Sequence, residues 1–129
     1  MNETMSSDEI FFFDAKPAAL PLYMAFREAV IERIAPERIE AKKTQISFFN
    51  RHMFAAVSFT PVRAAKDRPD PFLTITFGLP YQKDSARIDV TTQPYPNRWT
   101  HHVMIGTVEE IDDELLSWII EAAEFARRK

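Results

Sequence analysis

The sequence predicts an α+β domain: a five-stranded antiparallel sheet with N-terminal and C-terminal helices packed on one face. Three observations carry this reading. Five stretches between Lys42 and Ile105 alternate apolar and polar residues with the period of a half-buried strand. The connections between them are short and contain no helical crossover, which favours antiparallel pairing. Apolar stripes at helical spacing stand at both ends of the chain, and two amphipathic helices can cover only one face of a sheet. A length of 129 residues suits a single domain spanning 1–129, with residues 1–7 expected to be flexible.

The elements follow in order. Ser7-Asp8-Glu9-Ile10 begins with a capping serine followed by acids, so Ser7–Phe13 reads as a short helical turn; three consecutive phenylalanines would also suit a strand. Pro17–Ile34 reads as the first full helix, with Leu20, Tyr23, Met24, Val30, Ile31 and Ile34 on one stripe that Arg27 interrupts. Pro21 leaves its start open, and Pro36 ends it. Lys42–Phe49 alternates: Thr44, Ile46 and Phe48 on one face, Lys43, Gln45 and Ser47 on the other. Asn50-Arg51-His52 turns into Met53–Phe59, where Ala55, Val57 and Phe59 oppose Phe54, Ala56 and Ser58.

A polar, basic loop, Pro61–Pro71, leads to the third strand, Phe72–Phe77, closed by Gly78-Leu79-Pro80. Arg87–Thr92 is the fourth strand, with Ile88 and Val90 inward and Asp89 and Thr91 outward. After a turn at Pro94-Tyr95-Pro96-Asn97 comes the fifth, Arg98–Ile105. Neighbouring side chains on a strand point to opposite faces, so Trp99, His101, Val103 and Ile105 face the core, and Arg98, Thr100, His102 and Met104 face away. Thr107-Val108-Glu109-Glu110 matches a capping box, with Asp112 as an alternative cap. Ile111, Leu115, Trp118, Ile119, Ala122 and Ala126 then form the stripe of the last helix.

Composition removes several functions. There is no cysteine, hence no disulfide, thiolate nucleophile, iron–sulfur ligand or thiolate zinc site; the same composition suits a reducing cytoplasm. No signal peptide and no apolar run of membrane-spanning length is read, so no membrane partner is expected. Only Gly78 and Gly106 are available, which excludes glycine-rich phosphate loops. A net charge of -3 argues against general nucleic-acid affinity. His101 and His102 point to opposite faces, and there is no HxH or HExxH spacing, so no metal and no cofactor is expected. Ser47 or Ser58 with His102 and Asp89 could be imagined as a hydrolytic triad, but neither serine sits in a nucleophile elbow, and no catalytic residue is assigned.

Lys43-Thr44-Gln45-Ile46-Ser47-Phe48, Phe54-Ala55-Ala56-Val57, Arg98-Trp99-Thr100-His101-His102-Val103 and Asp112-Asp113-Glu114-Leu115 with Trp118 resemble a bacterial family, domain of unknown function 5655. The likeness runs from about Phe12 to Phe125. The chain is similar, more loosely, to the YdhG/YjbR-like small α+β proteins, which implies helices on one side of an antiparallel sheet. The resemblance implies no activity.

The uncovered sheet face is the expected functional surface. Lys43, Gln45, Arg51, Phe54, Arg98, Thr100 and His102 are its candidate ligand-binding residues, combining cations, an amide, a hydroxyl and an aromatic ring. The expectation is a binding module for a small anionic ligand or a protein segment, not an enzyme. The alternatives are a scaffold domain that pairs two copies through this face, and then nucleic-acid binding by Phe54 and Phe72 beside Lys43 and Arg51. Strands lie about 4.8 Å apart, so the first and fifth of a flat meander stand about 19 Å apart, too far for Lys43 and Arg98 to grip one small molecule. Keeping Val90 and His101 on one face would place Asp89 opposite His102, where a carboxylate would raise the imidazole's pKa.

Overall fold

The computed structural model describes residues 4–128. Ser6, not Ser7, caps the first helix: its hydroxyl accepts from the Glu9 N–H while the Glu9 carboxylate accepts from the Ser6 N–H. The helix, α1, is Ser7–Phe12. Met5 packs against the core and Ser6 is held by this box, while the expected flexibility of residues 1–3 falls outside the described residues.

A 3-10 turn over Pro17–Ala19 leads into α2, Leu20–Arg33. Its buried face is Leu22, Tyr23, Phe26, Arg27 and Val30, which corrects the expected stripe. Met24 is exposed, and Arg27, which looked like an interruption, belongs to the buried side. It can do so because α1 supplies the counter-charge: the Glu9 carboxylate accepts from Arg27 Nε at 2.7 Å and from the Tyr23 hydroxyl. Burial alone would raise the Glu9 carboxyl, but the bonds from Arg27, Tyr23 and the Ser6 backbone hold it below the usual carboxylate range.

The sheet has six strands rather than five: β1 (Arg38–Ala41), β2 (Ile46–Phe49), β3 (Met53–Ser58), β4 (Leu73–Leu79), β5 (Val90–Tyr95) and β6 (Arg98–Ile105). The order is β1-β2-β3-β4-β6-β5, with every pair antiparallel. The extra strand is β1. It has four residues, two of them charged, too few for alternation to declare itself. It pairs with β2 through a hairpin in which the Lys42 N–H bonds the Gln45 carbonyl at 2.8 Å, so Lys42 to Gln45 are turn and not strand.

Two further corrections concern register. At the β2–β3 pair, Phe48 faces Ala55 but Phe49 faces Met53, which leaves Phe54 as an extra residue in a bulge. The bulge breaks the alternation and turns Phe54 inward: it is 2% exposed, its ring 6.5 Å from that of Phe48. At the other edge, Val90 pairs with His102 rather than His101, so Val90 faces outward. Pro94 fits inside β5 because β5 is an edge strand with no outer ladder to satisfy. Segment 80–89 links β4 to β5 across β6, so the sheet is not a sequential meander.

Helix α3, Asp113–Arg128, lies over β3 and β4. Both expected caps are used: Thr107 and Glu110 box a 3-10 turn over Val108–Glu110, and Asp112 accepts the Leu115 N–H at 3.0 Å. Both long helices share one sheet face, where Phe48 receives Tyr23 and Phe26 of α2, and Phe77 stacks on Trp118 of α3.

Candidate functional site

The outward row of β6 is Arg98, Thr100, His102 and Met104, and that of β4 is Thr74, Thr76 and Gly78; Thr100 stands opposite Gly78, His102 opposite Thr76, and Met104 opposite Thr74. One end of this surface is closed. The Thr74 hydroxyl donates to the Thr60 carbonyl at 2.7 Å, and Arg63 donates to the Met104 carbonyl at 3.1 Å. The Met104 N–H in turn donates to Asp89, which is ion-paired with Arg63 at 2.8 Å. Thr74 and Met104 are buried as a result. The same loop brings Pro69 onto Gly106, where a Cβ would stand 2.4 Å from the proline ring.

The other end stays half-buried and polar. His102 Nδ1 lies 2.9 Å from the Thr76 hydroxyl. The expected Asp89–His102 pair does not form, because β5 is shifted by one residue and Asp89 is taken by Arg63. Nor is the His102 pKa raised: burial pushes it below its ordinary value, so the ring is neutral at pH 7.

The positive charge of this region is therefore Arg98. Its guanidinium lies flat on Gly78, so close that a Cβ there would stand 2.5 Å from Cζ. Arg98 is half-buried, and no carboxylate or hydrogen-bond acceptor among the described residues engages it. The row thus offers one guanidinium, the Thr100 hydroxyl two residues along, and a neutral imidazole two further on, each step about 6.8 Å.

Of the candidate residues, Arg98, Thr100 and His102 come together. Gln45 is three strand spacings away, about 14 Å, and its amide is spent on the Ser47 hydroxyl at 2.8 Å. Lys43 is exposed in the β1–β2 turn, Arg51 in the β2–β3 turn, and Phe54 is in the core. The imagined triad is dispersed: Ser58 accepts from Thr60, Ser47 from Gln45, and His102 and Asp89 hold other partners. Among the described residues no group of three or more histidines and carboxylates is placed to hold a metal ion, and no helix is long and apolar enough to cross a membrane.

Sequence reasoning put Thr76 on the open face, where the structure has it opposite His102, but read Gly78 only as the residue that closes the strand. An isolated glycine inside a strand pattern signals close approach by another group, here the Arg98 side chain. Sequence reasoning placed His101 on the core face, as the structure has it. His101 is fully buried, stacked on Phe77 at 5.0 Å, and its Nε2 accepts the Lys83 N–H at 2.9 Å. Burial lowers its pKa, the neighbouring Lys83 ammonium adds to that, and the backbone of Phe77 and Trp99 partly offsets it.

No curated protein and no solved structure matches this chain. The family model described as a domain of unknown function (DUF5655) matches residues 9–126, a span that takes in both the Glu9–Arg27 pair and the Arg98 row. The chain belongs to the family of the domain of unknown function DUF5655.

Proposed function

We propose that the protein is a single binding domain that takes a small anion, such as a carboxylate, on the open half of the sheet at Arg98, Thr100, Thr76 and His102. The observation that supports this is the half-buried Arg98 guanidinium, laid on Gly78 and without a counter-ion among the described residues. A cation withdrawn from water without a partner is costly, and an exogenous anion relieves that cost. Because His102 is neutral at pH 7, the site carries one positive charge and suits one negative charge. The hydroxyls and the imidazole would orient the ligand by hydrogen bonds.

The dimer and nucleic-acid alternatives both drew on Phe54 as an exposed anchor, and its burial takes that support away. Calorimetry with a panel of small carboxylates and inorganic phosphate tests the reading. Arg98→Met should weaken binding about tenfold or more, a loss of about 1.4 kcal/mol. Unchanged affinity in that variant would overturn it.

A further inference from the structure

The β1–β2 hairpin and α1 enclose a second surface, remote from the Arg98 row. One cavity of about 380 Å³ is lined by Asp8, Phe11, Phe12 and the hairpin residues Ala41 to Lys43. A second, of about 370 Å³, shares Phe12 and Lys43 with it and extends to Lys16 and Phe59. The two are open depressions that meet at Phe12 and Lys43, which line both, and the groove is the two together.

Its chemistry is specific. Phe12 and Phe59 stack at 5.2 Å with planes 13° apart, forming a rigid aromatic wall. Phe11 projects from α1 with 72% of its surface in water. Its face is open to an aromatic ring, which prefers offset-stacked or edge-to-face contact. Lys16 holds its ammonium 5.7 Å over the Phe59 ring. Neither Lys16 nor Lys43 has a carboxylate partner among the described residues, and the nearest carboxylate oxygen to Lys42 is that of Glu40 at 4.0 Å. Asp8 is the acid in the lining. Cations in excess beside aromatic faces, on a chain of net charge -3, form a local field that attracts an anion.

We propose that this groove binds a nucleoside monophosphate, a small anion that carries an aromatic base. The ring stacks on the exposed Phe11 face and the anionic group sits between Lys43 and Lys16. Each cavity is near the lower end of small-molecule pockets, room for one ring and one anionic group. A nucleic-acid strand would need a continued run of cations, and the groove is flanked instead by Asp8 and Glu40. A second copy docked symmetrically would set the same lysines against each other.

The test is an NMR titration of the whole chain with adenosine monophosphate, alongside adenosine, ribose 5-phosphate and a single-stranded oligonucleotide. The expected result is saturable shifts at Phe11, Phe12 and Lys43, with adenosine and ribose 5-phosphate each binding about tenfold more weakly. Phe11→Ala and Lys43→Gln, both exposed and harmless to the fold, should each weaken binding about fivefold or more. Arg98→Met should leave it unchanged, which separates this groove from the sheet site. Ribose 5-phosphate binding as tightly as adenosine monophosphate would reduce the groove to a bare cation patch and overturn the proposal. So would an oligonucleotide binding about a hundredfold tighter, shifts confined to the Arg98 row, or no saturable shift.

Discussion

Arg98 and His102 divide the work of the sheet site because burial treats them differently. A guanidinium keeps its charge when half-buried, whereas an imidazole gives its charge up. Both adjacent histidines have folded pKa values below the ordinary one. The unfolded chain takes up those protons first as pH falls, so their contribution to stability is full above about 6.5 and is lost as pH drops from there through the folded values. An NMR titration should place both midpoints below about 6.5; a His102 midpoint above it would contradict the account of its environment. Gly78 is the residue on which Arg98 rests. In Gly78→Ala the new Cβ meets the flexible end of Arg98, not backbone, so the fold should survive with a stability change under about 1 kcal/mol. The displaced guanidinium should lose anion affinity about tenfold. Calorimetry with a denaturation curve checks both halves.

At the scale of elements, α1 is fastened to α2 by one buried carboxylate. Glu9 sits 3% exposed at its side chain against 9% for Arg27. Arg27→Met should cost about 3–5 kcal/mol, because Glu9 is left buried without its cation. Glu9→Leu combined with Arg27→Met should cost clearly less than the two single changes added, and an additive result in urea unfolding would remove the pair as a unit. Helix α3 is held differently, by apolar contact. Trp118 packs on Phe77 and has Lys83 and Arg87 beside its ring at 6.0 and 5.7 Å. Trp118→Ala should lower stability by about 3 kcal/mol; an unchanged denaturation midpoint would place the indole outside the core.

For the whole molecule, legibility followed how one-sided each element is. The faces of β4, β6 and α3 could be read from periodicity because each places its large apolar residues on the side that meets the shared core, even where the loop over Thr74 and Met104 buries the other side of the strands as well. β1 could not, being four residues long, and neither could the bulge that turns Phe54 inward. Sequential pairing of neighbouring strands concealed the crossing of segment 80–89, and alternation alone did not show the irregularity between Thr92 and Tyr95 within the β5–β6 hairpin, whose register differs from the expected one and leaves Asp89 to Arg63. The Arg98, Thr100 and His102 row was legible from parity on one strand. The outward face of Thr76 was legible in the same way, but its pairing with His102 and the place of Gly78 under Arg98 were not, because both arise from long-range pairing of β4 with β6, and Glu9 meets Arg27 only through the packing of α1 on α2. The most direct test of the sheet site follows the Arg98 Nε–H resonance while a small carboxylate such as succinate is added. The expected result is a saturable shift of that resonance with the Gly78 and Thr100 amides on the same binding curve, and loss of the amide shifts in Arg98→Met. An Arg98 resonance that stays in place while the ligand binds elsewhere, or that never saturates, would contradict it.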